Sequence, residues 1–196
     1  MAETWVTGAV EGLVDEAVVR RLLLEAGLAC TAVYGLEGKP ALLQRLAGYN
    51  AAARFAPWLV LIDLDHDAAC VPEFVEGVLP QPAPHMLLRV AVREIESWLL
   101  ADPGFARFLG VRPQAIPADP DAVDDPKRLV VNLARRSRRP AITRDLVPRP
   151  GAGRLVGPAY TSRMIEFVTG RWQPHKAAER SASLARCLAA IARLSG

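Results

Sequence analysis

Residues 58–62 (WLVLI) are an unbroken apolar run that leads straight into the acidic stretch Asp63-Leu64-Asp65-His66-Asp67. A strand with one wet face alternates apolar and polar residues. An uninterrupted apolar run reads instead as a strand buried on both faces of a parallel sheet. Burial on both faces requires helices above and below, so this segment alone points to a layered α/β fold. It also sets carboxylates at the C-terminal end of that strand.

The flanking segments alternate as such a fold demands. Residues 4–10 (TWVTGAV) read as a strand ending at Glu11-Gly12, and residues 13–26 as a helix with Leu13, Ala17, Val18, Leu22 and Leu24 at helical spacing, stopped by Gly27. Residues 29–34 read as a second strand. A Gly-Lys-Pro turn leads into a helix over residues 41–55, residues 71–78 form a short helix, and residues 85–92 a fourth strand. Residues 94–100 then form a helix with Trp98 on its buried side. Right-handed crossovers connect such strands.

The texture changes after Asp102-Pro103. Residues 105–109 form a helical turn, and residues 111–126 a Pro- and Asp-rich loop. Residues 127–135 form a helix that ends in the cluster Arg135-Arg136-Ser137-Arg138-Arg139. Residues 140–158 read as irregular, and residues 161–169 and 177–194 as the last helices. The expected organisation is a core over residues 1–102 and a basic, loop-rich, mainly helical extension over residues 103–196 packed on it.

No run of eighteen apolar residues exists, which excludes an apolar membrane-spanning helix. The strand pattern begins within five residues of Met1 and leaves no room for a signal peptide, so the cytoplasm is the expected location. The three cysteines, Cys30, Cys70 and Cys187, are widely spaced and odd in number, and read as buried thiols. A net charge of +3 hides a division: residues 1–100 hold 7 Lys and Arg against 13 Asp and Glu, residues 101–196 hold 17 against 8. An acidic half that holds cations and a basic half that meets phosphates fits nucleic acid as a partner. The excess of Arg, 21 against 3 Lys, also fits a GC-rich genome.

Glu11 follows one strand directly, and Asp63 and Asp65 follow another. In a parallel sheet both strand ends face the edge where ligands bind. Residues i and i+2 at a strand end point the same way, so Asp63 and Asp65 are expected to converge on one cation. Gathered carboxylates repel one another unless a cation neutralises them, and an all-oxygen set selects Mg²⁺ or Mn²⁺ over zinc. An acid after a strand can equally cap the next helix, a reading that suits Asp67 best. His66 reads as an exposed loop residue, and Tyr160 and Trp172 as packing for the C-terminal helices. Gly151-Ala152-Gly153-Arg154 lacks the strand and helix that a nucleotide loop requires.

Glu11-Gly12-Leu13-Val14-Asp15 after a strand, followed by Asp63-Leu64-Asp65 after a buried one, resembles the TOPRIM fold of topoisomerases, primases and OLD-family nucleases. The spacing of Glu11 and Asp15 is similar to that of the OLD type. The stretches VEGLVDE, LIDLDHD, AVREIESWLLAD and DDPKRL resemble the DUF4276 family, a TOPRIM-like group, over most of the chain. The resemblance implies Asp63 and Asp65 as principal metal ligands, Glu11 as general base or ligand, and Asp15 as ligand to a second ion. Two such ions roughly 4 Å apart stabilise the attacking and leaving oxygens of a phosphodiester. Glu96 occupies the family's E-x-W pattern with Trp98 and joins the metal set. Its other reading is a helix-start carboxylate favoured by the dipole. Lys127 is implied as a catalytic residue that stabilises a pentacovalent phosphate, or else it is a solvated helix-end lysine.

The leading expectation is therefore a Mg²⁺-dependent nuclease acting on DNA or RNA, with an ATPase partner subunit implied by the OLD-type resemblance. The alternative is a non-catalytic subunit of an ATPase-associated system that binds nucleic acid or a partner. A phosphatase of the Asp-x-Asp type is disfavoured, because DLDHDA lies behind two earlier strands rather than near the N-terminus.

Overall fold

The computed structural model describes residues 4–194. They form two compact units: Arg93–Leu184, and the residues up to Val92 together with those from Ala185 on.

The first unit is built on four strands, β1 (Trp5–Val10), β2 (Ala29–Gly35), β3 (Trp58–Asp63) and β4 (Met86–Ala91), all parallel, in the order β2-β1-β3-β4. Between them run α1 (Leu13–Glu25), α2 (Lys39–Ala52) and α3 (Val71–Val78). The chain moves outward from β1 to β2, then doubles back past β1 to β3 and β4. Crossovers of one hand that travel in opposite directions put their helices on opposite faces. The packing agrees. On one face Ala9, Val60, Ile62, Leu88 and Val90 meet Leu42 and Leu46 of α2 and Phe74 of α3. On the other face Gly8 lies against Val19 of α1, where an added Cβ would stand 3.2 Å from the valine. Leu59, Val60, Leu61 and Ile62 are at most 1% exposed, as burial on both faces requires.

Periodicity misassigned part of the α1 stripe. Leu13 and Leu24 are exposed, while Val19 and Leu23 are fully buried beside Val18 and Leu22. An apolar run such as Leu22-Leu23-Leu24 fits more than one helical face, and only the sheet decides which face is used.

The second unit is helical: α4 (Ile95–Ala101), α5 (Phe105–Leu109), α6 (Pro126–Arg135), α7 (Pro140–Leu146), α8 (Tyr160–Gly170) and α9 (Pro174–Ala177), with α10 (Ala182–Ala192) beginning at its end. Its core holds Trp98, Phe105, Phe108, Phe167 and Trp172, with Phe105 edge-on to Phe167 at 4.8 Å. The indole N–H of Trp98 donates to Ser183 Oγ at 2.6 Å, so this buried ring keeps its donor paired. Tyr160 and Trp172 are buried, as packing residues should be.

Two local expectations are corrected here. Residues 140–158 are not irregular throughout, because Pro140 opens α7 at the first helical position, where its missing N–H costs nothing. Residues 177–194 are not one helix. Ser181 breaks them and accepts the Leu184 N–H at 3.2 Å, capping the start of α10. The loop of residues 111–126 is punctuated by single 3-10 turns at Pro113–Ala115 and Pro120–Ala122.

The fold is thus α/β, a parallel sheet flanked by helices with a helical C-terminal region. Among the described residues no helix is long and apolar enough to cross a membrane. Of the cysteines only Cys187 is buried, its thiol pushed up to about 12 by desolvation, whereas Cys70 is exposed and Cys30 half-buried.

Candidate functional site

The reversal of chain direction falls between β1 and β3, and ligands of open α/β sheets bind in the crevice at the carboxyl ends of such strands. Glu11 stands one residue beyond β1 and Asp63 is the last residue of β3, so the two acids flank this crevice. They are joined: the Asp63 N–H donates to Glu11 Oε1 at 2.8 Å. Asp15 lies in the first turn of α1 and is 9% exposed. Its carboxylate turns back over Gly12, where an added Cβ would meet Oδ2 at 3.2 Å.

Asp65 departs from the expected geometry. β3 ends at Asp63, and Asp65 adopts a left-handed conformation with φ 48°, so strand alternation no longer governs its direction. Its Oδ2 accepts a hydrogen bond from Lys39 Nζ at 2.5 Å, and Asp67 Oδ2 accepts another from the same ammonium at 2.8 Å. Asp67 is therefore not the cap of α3, whose N-cap is Cys70. His66 is exposed, as expected of a loop residue.

Lys39 is the side chain at this acidic edge that sequence reasoning missed. Its place is set by the end of β2 and the loop that follows, where Gly35, Leu36 and Gly38 have positive φ of 97°, 69° and 85°. An added Cβ at Gly35 would lie 2.1 Å from the Val10 carbonyl oxygen, so only glycine permits this approach to β1. The Leu36 and Gly38 N–H groups then donate to the Val10 and Glu11 carbonyls at 3.1 and 3.0 Å. This stitching swings the start of α2 over the acidic edge. Burial pulls the Lys39 ammonium down, but the hydrogen bonds to Asp65 and Asp67 and the charge of Glu11 outweigh it and hold the pKa above its ordinary value. The sequence carries only a coarse signal for it: the loop after β2 leaves the sheet at the same edge as Glu11, and the first cation that follows is Lys39.

Glu94, Glu96 and Lys127 make a cluster within the second unit. Glu94 Oε2 accepts the Lys127 N–H at 2.8 Å and Oε1 meets Lys127 Nζ at 3.1 Å, so Glu94 caps α6 from outside it, alongside the N-cap Asp125. Lys127 is thus more than a solvated lysine at a helix end. Glu96 is 1% exposed, and its Oε1 accepts from Tyr160 Oη at 3.1 Å and faces Lys127 Nζ at 3.8 Å. Its Oε2 has no hydrogen-bond partner among the described residues. Burial raises the Glu96 pKa above its ordinary value against the opposing pull of Lys127.

Among the described residues no group of three or more carboxylates, imidazoles or thiols stands gathered as a ready metal shell. The oxygen donors of Glu11, Asp63 and Asp15 fit a hard divalent cation in type. Asp65 has the Lys39 ammonium as its cation. No family model, curated protein or solved structure matches the chain.

Proposed function

We propose that this protein is a TOPRIM-like, Mg²⁺- or Mn²⁺-dependent phosphodiesterase that cuts DNA or RNA at the crevice between the ends of β1 and β3. The observation that carries the reading is the Glu11–Asp63 pair, two carboxylate residues from different strands fastened together at the topological switch point. Glu11, Asp63 and Asp15 are the residues that would hold the ion. A divalent cation bound there would supply Lewis-acid polarisation of a phosphoryl oxygen.

The chain's own groups do the rest. The hydrogen bond from the Asp63 amide fixes one oxygen of Glu11, which orients the carboxylate for work as ligand or general base. Lys39 offsets half of the charge of Asp65 and Asp67 and so lowers the repulsion that an approaching phosphate meets at this edge. The surplus of arginine and lysine in residues 101–196, 17 against 8 acids, supports a polyanionic substrate.

The test is cleavage of mixed single- and double-stranded DNA and RNA with Mg²⁺ or Mn²⁺, comparing wild type with Asp63→Asn. Metal-dependent cutting that the substitution abolishes supports the reading; cutting that survives it removes the site from the chemistry. A second reading, a non-catalytic subunit that binds nucleic acid or an ATPase partner, is favoured by one observation: Lys39 already serves Asp65 and Asp67 as a cation. Nucleic-acid binding with no cleavage under any metal would favour it.

A further inference from the structure

Within the second unit an open pocket of about 330 Å³ lies between the end of α5 and the turn that joins α6 to α7. Arg107, Arg138 and Arg139 line it beside Gly110 and Val111, and no carboxylate does. None of the three guanidiniums has an acidic partner among the described residues. Three like charges around one concavity raise its positive potential and concentrate anions there.

The walls are held by a backbone mesh. Ser137 Oγ donates to the Leu109 carbonyl at 2.6 Å, the Arg138 N–H to the Gly110 carbonyl at 3.0 Å, and the Arg139 N–H to Ser137 Oγ at 3.0 Å. Gly110 closes α5 in a left-handed conformation, φ 72°, and a Cβ there would strike Arg139 Cγ at 2.9 Å. The Arg139 stem therefore rests on the bare glycine, and its Nη1 donates to the Phe108 carbonyl at 3.4 Å. The arginines flank one space on a braced frame rather than scattering over a surface.

We propose that this pocket binds a phosphate group. Arginine offers planar, paired donors that match the oxygens of phosphate, and a site with no acid in its wall favours an oxyanion of high charge. The phosphate can belong to a nucleic-acid backbone or to a free phosphorylated molecule. The inference stands apart from the proposed cleavage, because binding here needs no divalent metal.

The experiment uses the full chain in EDTA and follows inorganic phosphate by titration calorimetry, with a short single-stranded oligonucleotide as competitor. Arg107→Ala/Arg138→Ala is compared with Arg149→Ala/Arg154→Ala, which removes the same charge at exposed positions outside the pocket. The expected result is saturable phosphate binding that weakens about tenfold or more in the first pair and stays within about twofold in the second. Competition by the oligonucleotide assigns the phosphate to a nucleic-acid backbone; binding without competition assigns it to a free phosphorylated molecule. No saturable binding, or equal loss in both pairs, overturns the proposal. All four arginines are exposed, so the substitutions leave the core intact.

Discussion

The amide of Asp63 is held by the side chain of Glu11, a residue 52 positions earlier, at 2.8 Å. This bond separates the structural from the chemical role of Glu11. Glu11→Gln keeps an oxygen to accept the amide and should retain near-wild-type stability. Glu11→Ala leaves a half-buried N–H without that acceptor and should lose about 1–2 kcal/mol. Both should abolish metal-dependent cleavage. Urea denaturation checks the first part, and equal midpoints for the two variants would count against it.

Lys39→Met leaves Asp65 and Asp67 without their shared cation. Both carboxylates are more than a third exposed, so the expected loss at neutral pH is modest, about 1 kcal/mol. Mg²⁺ should raise the melting midpoint of the variant more than that of wild type, because the acids then need another cation. The Lys39 pKa is raised in the folded state, so its contribution is complete below the ordinary value of 10.5 and fades as pH rises through the folded one. The gap between wild type and variant should therefore close only in strong base.

Glu96 should behave as a liability that grows with pH. Burial raises its folded pKa, so the folded state holds the proton more tightly than the unfolded chain. Relative to Glu96→Gln, wild type should match in acid below about pH 4.5 and lose ground as pH rises from there through the folded pKa. Melting midpoints between pH 4 and pH 8 measure it. A constant difference across that range would refute the argument.

Asp145 should show the opposite dependence. Hydrogen bonds from Arg144 and then Arg163 hold its carboxyl below the ordinary value of 3.8, so its contribution is full above that value and is lost as pH falls through the folded pKa. Asp145→Asn should be less stable than wild type at neutral pH, with the difference shrinking in strong acid. Denaturation midpoints at pH 7 and in strong acid decide it.

Much of the first unit was legible because its signals are local. Residues 58–62 have no polar member, which leaves a strand buried on both faces as the reading that fits, and Glu11 and Asp63 follow from standing at the ends of two parallel strands. What escaped depends on approach between distant segments. Lys39 looked like part of a turn, since nothing local reveals that Gly35 lets its loop lie against Val10. The left-handed backbone of Asp65 and its bond to Lys39 lie two residues past the strand, where alternation carries no information. The pairing of Glu94 with Lys127 spans 33 positions and left no periodic trace. Pro140 looked like a break when it was a beginning.

The way the Asp63 amide is secured gives the protein a built-in reporter. Most strand amides are shielded from solvent exchange by a neighbouring backbone carbonyl and reveal only the opening of the sheet. At residue 63 the shield is a carboxylate from beyond a different strand, so deuterium uptake there depends on where that side chain is committed. A ligand that draws Glu11 away should quicken exchange at this one position while the rest of β3 stays protected, and occupancy of the crevice could be followed at a single amide.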